Sequence, residues 1–262
     1  RKNVIKNIMT GLKSLEYRGY DSSGIAYIKD GKINIIKKAG PIKNLESKLN
    51  YNDDASIGIS HTRWATHGKA DDINAHPHKQ GKITIVHNGI IENYDTLKKE
   101  LEKEGYEFKT STDTEIACAA IDKLYKETND MIGTLGKIND VLKGSYAFNI
   151  INDDIPDTIF GIRKDSPLIV GISNEGNMLA SDIPAVLHIT NKYVVLDNYD
   201  IVVLKDDSVK YYDRQGKEIS KEIKEYKFKS DMTKQNINIL GKENAFDLIG
   251  KEWMLVTAGT ED

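Results

Sequence analysis

Three short segments of this chain concentrate side chains that could do chemistry. They read HTRWATHG over residues 61–68, NAHPH over residues 74–78 and HNGIIENY over residues 87–94. Together they hold five of the six histidines, an arginine and an Asn-Gly pair. Imidazole, guanidinium and carboxamide groups at this density are typical of a substrate site, because a hydrophobic core has no need of them.

The histidines first suggest a metal site. Their spacing contains no helical HExxH pair, and Asp71, Asp72 and Glu92 do not stand at ligand spacing from them. We therefore expect no bound metal and no cofactor, and we expect most of these histidines to cap strands or to bond to buried backbone groups. A metal-dependent hydrolase built on the histidine cluster stays as the least favoured alternative.

Four other residues have a structural and a chemical interpretation. Asn88-Gly89 after an apolar run favours a tight turn, although an Asn amide beside a Gly N–H could also supply two donors to an oxyanion. Arg63 could lie on the surface or clamp a carboxylate. Asp113, in the segment STDTE, could cap a helix or bind an ammonium group. The single cysteine, Cys118, lies among apolar residues at helical spacing, so we expect it to be buried and unreactive.

Apolar periodicity predicts the elements that position these groups. Helical spacing runs over residues 4–15, 94–104, 115–125 and 131–142, and a hairpin over residues 23–38 turns at Asp30-Gly31. Apolar strands at residues 56–60 and 82–86 lead directly into His61 and His87. We therefore expect both motifs to follow strand ends, in loops held by rigid strands.

The second half of the chain has a different pattern. Seven short β runs with brief connections lie between Gly144 and Asp213, which is typical of antiparallel sheet and not of βαβ units. The order of strands, helices and strands predicts an α+β fold. After Asp213 the charged sequence predicts a solvated linker or a surface helix, and an apolar run follows at residues 253–259.

Composition excludes several classes of function. The 262 residues are 39% hydrophobic and 29% charged, so the chain can bury a sizeable core. A net charge of −3 with interspersed signs gives no basic surface for nucleic acid or an acidic membrane. A single cysteine and the lack of an apolar run of about 18 residues predict a cytoplasmic protein without a membrane segment.

Five motifs in order carry a family resemblance: LEYRGYDSSGIA over residues 15–26, the three polar segments above, and TSTDTE over residues 110–115. They closely resemble the glutaminase domain of the glutamine-fructose-6-phosphate aminotransferases, within the class II glutamine amidotransferases, over about residues 1–230. The resemblance implies an N-terminal-nucleophile hydrolase fold, an αββα sandwich of two antiparallel sheets between helical layers. It places the glutaminase domain at residues 1–225 and a linker with an atypical tail at residues 226–262.

The resemblance also implies a reaction. In this family an N-terminal cysteine attacks the side-chain amide of L-glutamine and forms a thioester, while the α-amine of that cysteine acts as general base and acid. The products are glutamate and ammonia. The ammonia passes to a sugar isomerase domain of the full-length, dimeric enzyme, which converts fructose 6-phosphate to glucosamine 6-phosphate in hexosamine biosynthesis.

Eight residues of this chain match family positions with a role in the site. The oxyanion hole would consist of Asn88 and Gly89. The substrate-binding residues would be Arg63, Trp64, Thr66, His67, Asp113 and Arg18. Of these, Arg63 would hold the carboxylate of glutamine and Asp113 its ammonium group. Thr66 and His67 would line the glutamine loop, Trp64 would form its lid toward the ammonia channel, and Arg18 would support the site near the nucleophile.

The chain departs from the family pattern at both ends. The pattern CGIVGYIG, which holds the nucleophilic cysteine and a first core strand, does not precede Arg1, and no sugar isomerase sequence follows Asp231. We therefore expect this chain to lack the first strand and to be inactive as a glutaminase. A glutamine-binding module without turnover is the main alternative function. The hypothesis for residues 232–262 is that they derive from an unrelated reading frame.

Overall fold

The protein is described by a computed structural model that covers residues 3–64, 69–174 and 176–227. In these ranges the chain forms five α-helices and two 3-10 turns, the turns at Glu16–Arg18 and Ile183–Ala185. The helices are α1 (Val4–Lys13), α2 (Ile42–Glu46), α3 (Tyr94–Lys103), α4 (Asp113–Thr128) and α5 (Met131–Val141). None of them is both long and apolar enough to cross a membrane.

The described residues also form fourteen strands, and the pairing between them is antiparallel. The strands are β1 (Ser22–Lys29), β2 (Lys32–Ala39), β3 (Gly58–Arg63), β4 (His78–Gln80), β5 (Ile83–Ile91), β6 (Gly144–Asn152), β7 (Ile155–Lys164), β8 (Ile169–Gly171), β9 (Met178–Ala180), β10 (Lys192–Val195), β11 (Ile201–Leu204), β12 (Val209–Tyr212), β13 (Glu218–Ile219) and β14 (Lys224–Glu225). They make a seven-stranded sheet β13-β12-β11-β7-β6-β5-β4, a three-stranded sheet β2-β1-β3 and a four-stranded sheet β14-β10-β8-β9.

The seven-stranded sheet is covered on both faces because its strands alternate between two apolar surfaces. Ile85 of β5 and Phe148 of β6 face α3, α4 and α5 in the largest buried cluster. Val86, one residue further along β5, packs against Ile59 of β3 in a separate cluster between the layers. The four-stranded sheet also packs on the seven-stranded one, because Val170 of β8 shares a buried cluster with Ala147 of β6 and Val202 of β11.

Helices α1 and α2 cover the outer face of the three-stranded sheet. Ile5 and Met9 of α1 pack against Ile25 and Tyr27 of β1, while Ala26 between them faces the interior of the sandwich. The layers therefore run helix, sheet, sheet, helix, and the predicted α+β sandwich of the αββα type is confirmed. The second β layer consists of two separately hydrogen-bonded sheets.

Several local predictions are confirmed and one is wrong. The hairpin turns at Asp30 and Gly31 with φ of 52° and 71°, the conformation that an Asp-Gly turn favours. The predicted helices appear as α1, α3, α4 and α5. The prediction that the histidine motifs follow strand ends is wrong, because β3 continues to Arg63 and β5 continues to Ile91. Both strands continue beyond the apolar pattern, because the polar side chains that follow line a cavity between the layers.

The charged segment after Asp213 forms two short strands, β13 and β14, and not a surface helix as far as residue 227. The apolar run at residues 253–259 and the other residues after 227 lie outside the described part of the chain. The boundary at residue 225 and the unrelated origin of the tail therefore stay predictions.

Candidate functional site

A cavity of about 570 Å³ lies between the β layers, and it brings most of the predicted site residues together. Six of the eight line it, namely Arg18, Arg63, Trp64, Asn88, Gly89 and Asp113. Thr66 and His67, the other two, lie outside the described residues. The cavity is apolar toward α1 and polar where β3, β5 and the start of α4 meet.

Strand β3 presents Arg63 to this cavity. Side chains two residues apart share a face of a strand, so Ile59, His61 and Arg63 all face the interior of the sandwich. Arg63 is only 6% exposed, and its Nη1 donates to the carbonyl oxygen of Lys69 at 3.3 Å. Burial lowers the pKa of Arg63, while the carboxylates of Asp113 and Asp71 oppose that shift. A guanidinium remains protonated in such surroundings, so the cavity holds a buried cation.

Strand β5 presents Asn88 from the facing layer. Asn88 and Gly89 pair with Ala147 and Tyr146 of β6, so the prediction of a tight turn at this Asn-Gly pair is wrong. The partner strand is distant in sequence, and no local pattern could reveal it. The Oδ1 of Asn88 lies 3.0 Å from the Nε2 of His61, which joins the two β layers.

Gly89 has a backbone that other residues would not adopt without strain. Its φ is 129°, and a Cβ at this position would lie 2.1 Å from the carbonyl oxygen of Ser145. On the β4 side of β5, the N–H of His87 donates to His76 Nδ1 at 3.4 Å and the N–H of Ile91 donates to Asp113 Oδ2 at 2.8 Å. Backbone N–H groups alternate in direction along a strand, so the N–H of Gly89 between them faces the same edge.

Asp113 does not cap helix α4, so the capping interpretation is wrong. The N-cap is Thr112, whose side chain accepts from the N–H of Glu115 at 3.3 Å. Asp113 instead accepts the N–H of Ile91 and ties the start of the helix to β5. The side chain of Asp113 is 14% exposed, and its carboxylate faces the cavity. This carboxylate interacts electrostatically with Arg63, which belongs to a different element.

The histidines behind the cavity form a buried hydrogen-bonded group. His76 Nδ1 accepts the N–H of His87, so its Nε2 donates to Thr114 Oγ1 at 3.1 Å. Thr114 Oγ1 also lies 3.0 Å from His87 Nδ1 and 3.4 Å from Asp113 Oδ1. His78 Nε2 bonds to Thr112 Oγ1 at 3.1 Å. Burial lowers the pKa of all three imidazoles. Among the described residues, no group of three or more metal-ligating side chains is arranged to hold an ion.

Arg18 and Trp64 lie at the edges of the cavity. The guanidinium of Arg18 donates to Ser181 Oγ at 3.3 Å and to Asp182 Oδ2 at 3.1 Å, so this residue joins the 3-10 turn before β1 to the segment after β9. Trp64 is 49% exposed, and its ring contacts that of Tyr20 edge-on at a centroid distance of 5.4 Å. Both positions fit supporting roles at the rim.

Cys118 is buried, as predicted. Its side chain is 0% exposed in α4, and its one S–H has two carbonyl oxygens as possible acceptors, that of Ile83 at 3.3 Å and that of His78 at 3.5 Å from Sγ. Burial raises the pKa of this thiol, so it is a poor source of thiolate. Cys118 does not line the cavity and cannot act as its nucleophile.

Sequence reasoning assigns no role to His61 or Thr114. The signal that could have placed His61 is its spacing of two residues from Arg63 on a strand, which puts both side chains on one face. No sequence signal places Thr114 between two histidines, because the contact joins three separate segments.

Comparisons with known proteins identify relatives. Residues 61–188 match a family model described as a glutamine amidotransferase domain. A glutamine–fructose-6-phosphate aminotransferase (isomerizing) of Clostridium acetobutylicum is 46% identical over 226 residues, which cover 85% of this chain and 37% of the relative. One from Aquifex aeolicus is 48% identical over 219 residues, which cover 82% of this chain and 37% of the relative. The chain thus spans little more than a third of the length of these curated relatives.

Solved structures share the fold. The glutamine phosphoribosylpyrophosphate amidotransferase of B. subtilis, complexed with ADP and GMP, is 25% identical with a TM-score of 0.68, and the match covers 82% of this chain and 47% of that one. A second structure, described as the allosteric regulatory enzyme of purine biosynthesis, is 24% identical with a TM-score of 0.69 over the same shares of the two chains. The second likeness concerns the fold alone.

Proposed function

This chain belongs to the glutamine amidotransferase family, and we propose that its cavity binds L-glutamine and holds the side-chain amide for hydrolysis to glutamate and ammonia. The observation that carries the proposal is the convergence of Arg63, Asp113, Asn88 and Gly89 on one cavity. These four residues come from β3, α4 and β5, and they supply a cation, an anion and amide donors.

The charges suit the α-amino acid end of the ligand. Arg63 can bind a carboxylate through two parallel N–H groups, and Asp113 can accept from an ammonium group. Both side chains are largely buried, so their interactions with a ligand are screened less by water than surface contacts are. An amino acid with both groups fixed in this way would extend its side chain toward β5.

Asn88 and Gly89 suit the reacting end. The Nδ2 group of Asn88 and the N–H of Gly89 are two donors that can meet a developing oxyanion when a thiolate attacks the amide carbon. Loss of one such donor in other enzymes costs about 100- to 1000-fold in kcat. The geometry therefore supports stabilisation of the tetrahedral intermediate by these two residues.

The thiol that attacks the amide cannot be that of Cys118, because Cys118 is buried away from the cavity. Cys118 is the one cysteine in residues 1–262. We infer that residues 1–262 bind glutamine and hydrolyse it only when a further cysteine is supplied. In the family, that cysteine stands at the N-terminus of the chain. Its thiolate would form a thioester as ammonia leaves, and water would then release glutamate. The α-amine of that cysteine would carry the protons, because its pKa near 8 suits both directions of transfer.

The wider reaction of the relatives is also a proposal for this chain. As their names state, they act on glutamine and fructose 6-phosphate. We propose that ammonia from this domain reaches a sugar isomerase domain and enters glucosamine 6-phosphate, in a dimeric cytoplasmic enzyme. The shared αββα fold and the identity of the matched region support this proposal.

One pair of proteins tests the proposal. The chain is extended at its N-terminus with CGIVGYIG, and a matched version carries alanine in place of that cysteine. We expect the first to release ammonia from L-glutamine and the second to release none while it still binds glutamine. A cysteine-bearing version that binds glutamine and never forms a thioester would show that the assigned roles are wrong.

A further inference from the structure

The carboxamide of Asn88 can face the cavity in two ways, and only one of them serves an oxyanion. Its nitrogen and its oxygen occupy nearly equivalent positions, so a half-turn of the group exchanges a donor for an acceptor. With Nδ2 toward the ligand, the group stabilises negative charge. With Oδ1 toward the ligand, it repels negative charge. Something in the protein must select the orientation.

His61 is the neighbour that contacts this group. Its Nε2 lies 3.0 Å from Asn88 Oδ1. A carboxamide oxygen only accepts hydrogen bonds, so the Nε2 of His61 must carry a proton. The other ring nitrogen, Nδ1, is buried and has no hydrogen-bond partner among the described residues. An N–H there would be an unsatisfied buried donor, whereas a lone pair there costs less.

The protonation state of His61 agrees with this geometry. Burial lowers its pKa to about 4, so the ring is neutral at pH 7 and carries one proton. That proton has a partner on Nε2 and none on Nδ1. The Nε2–H tautomer is therefore the one that the surroundings stabilise.

The ring of His61 is held in place by the histidine group behind it. It packs against the ring of His76 at a centroid distance of 4.3 Å. His76 is fixed in turn by the N–H of His87 and by Thr114, so it has little freedom to rotate. His61 of β3 pairs with Gly24 of β1. A Cβ at Gly24 would lie 2.1 Å from the carbonyl oxygen of His76. The absence of a side chain at Gly24 lets the two histidine segments approach.

We propose that His61 is a positioning residue for the oxyanion hole: it donates from Nε2 to Asn88 Oδ1 and thereby turns Asn88 Nδ2 toward the reacting amide oxygen. The proposal rests on the function proposed above for Asn88. Among the described residues, His61 is the one that bonds to the Asn88 carboxamide, so loss of His61 removes the described contact that sets the orientation of this group.

The ring tautomer tests the proposal in the chain as it exists. Long-range proton–nitrogen NMR spectra of the labelled 262-residue protein at pH 7 distinguish the two ring nitrogens of each histidine. We expect His61 to be protonated on Nε2 and unprotonated on Nδ1. The opposite tautomer would overturn the proposal, because Nε2 would then accept from Asn88 Nδ2 and the Asn88 oxygen would face the cavity.

Two variants add a functional reading. In His61→Gln, the side-chain amide nitrogen of the new residue reaches the place of Nε2 and can still donate to Asn88. In His61→Leu, the side chain has a similar volume and no donor. We expect calorimetry with L-glutamine to show an affinity close to that of the original protein for His61→Gln. For His61→Leu we expect an affinity that is lower by about 3- to 10-fold, the range for one hydrogen bond.

The outcomes separate this proposal from the proposed function. Equal losses of affinity in both variants, with unchanged near-ultraviolet circular dichroism, would mean that the ring acts by packing and would overturn the positioning role. If the original protein does not bind L-glutamine, the proposed function fails. The NMR tautomer then still decides whether His61 orients Asn88.

Discussion

Replacement of Asp113 by asparagine separates the charge of this residue from its backbone hydrogen bond. Asp113 Oδ2 accepts the N–H of Ile91 at 2.8 Å and so ties α4 to β5. The carboxamide oxygen of asparagine can accept the same N–H, so the local structure should persist. The negative charge is lost, and with it the ion pair to the ammonium group of glutamine.

The expected size of the effect follows from burial. The Asp113 side chain is 14% exposed, so its contact with an ammonium group resembles a buried charged hydrogen bond and not a surface ion pair. Such bonds contribute about 1.5 to 3 kcal/mol, which corresponds to a rise of about 10- to 100-fold in the Kd for L-glutamine. The free energy of unfolding should fall by at most about 2 kcal/mol, because a partly buried carboxylate in the first turn of a helix contributes no more than this.

Calorimetry with L-glutamine measures the binding, and urea unfolding measures the stability. Asp153→Asn is the matched control. It makes the same change in charge, but Asp153 pairs with Lys79 outside the cavity, so glutamine affinity should not change. A folded Asp113→Asn protein that binds L-glutamine as tightly as the original would refute the assignment of Asp113 to the ammonium group.

Three further predictions follow from the cavity and the core. Arg63→Lys keeps the cation but loses the two-point fork, so calorimetry should show L-glutamine affinity lower by about 10-fold; unchanged affinity would remove Arg63 from the carboxylate site. The pKa of His61 falls from 6.5 to about 4 on folding, so the unfolded chain binds the proton first as pH falls. In urea unfolding, the decline in stability from pH 6.5 toward pH 4 should be smaller by about 3 kcal/mol in His61→Gln than in the original protein; equal declines would contradict a buried neutral His61. Cys118 should react with a thiol reagent such as dithionitrobenzoate only after unfolding, because the thiol is 0% exposed and burial raises its pKa; rapid reaction of the native protein would contradict its placement in the core.

Local signals were enough for much of the fold. The hairpin between β1 and β2 depends on Asp30-Gly31, whose positive φ angles are a property of that dipeptide. Helix α1 follows from apolar residues at helical spacing that pack on β1. The αββα arrangement came from the family resemblance, since periodicity alone indicates only that sheets and helices pack together.

The site was harder to predict because it breaks the apolar pattern. His61, Arg63 and Asn88 face the interior, where a strand normally places apolar side chains, so the apolar pattern predicts that both strands end early. Asn88-Gly89 resembled a turn because its β6 partners, Ala147 and Tyr146, are far along the chain. Tertiary pairing overrides the local preference there.

Helix α4 shows a smaller ambiguity. Thr112 and Asp113 are both good N-cap residues, and their order in sequence does not decide between them. The extended backbone of Thr112, with φ of −94° and ψ of 142°, gives it the cap and leaves Asp113 on the first helical turn. That displacement by one residue is what frees a carboxylate to contact β5 and the cavity.

A crystal structure of the protein with L-glutamine tests the central claim most directly. We predict that the carboxylate of the ligand lies on Arg63, that its ammonium group lies on Asp113, and that its side-chain carbonyl oxygen points to Asn88 Nδ2 and the N–H of Gly89. A ligand bound in the reverse direction, or bound outside the cavity between the β layers, would contradict the account.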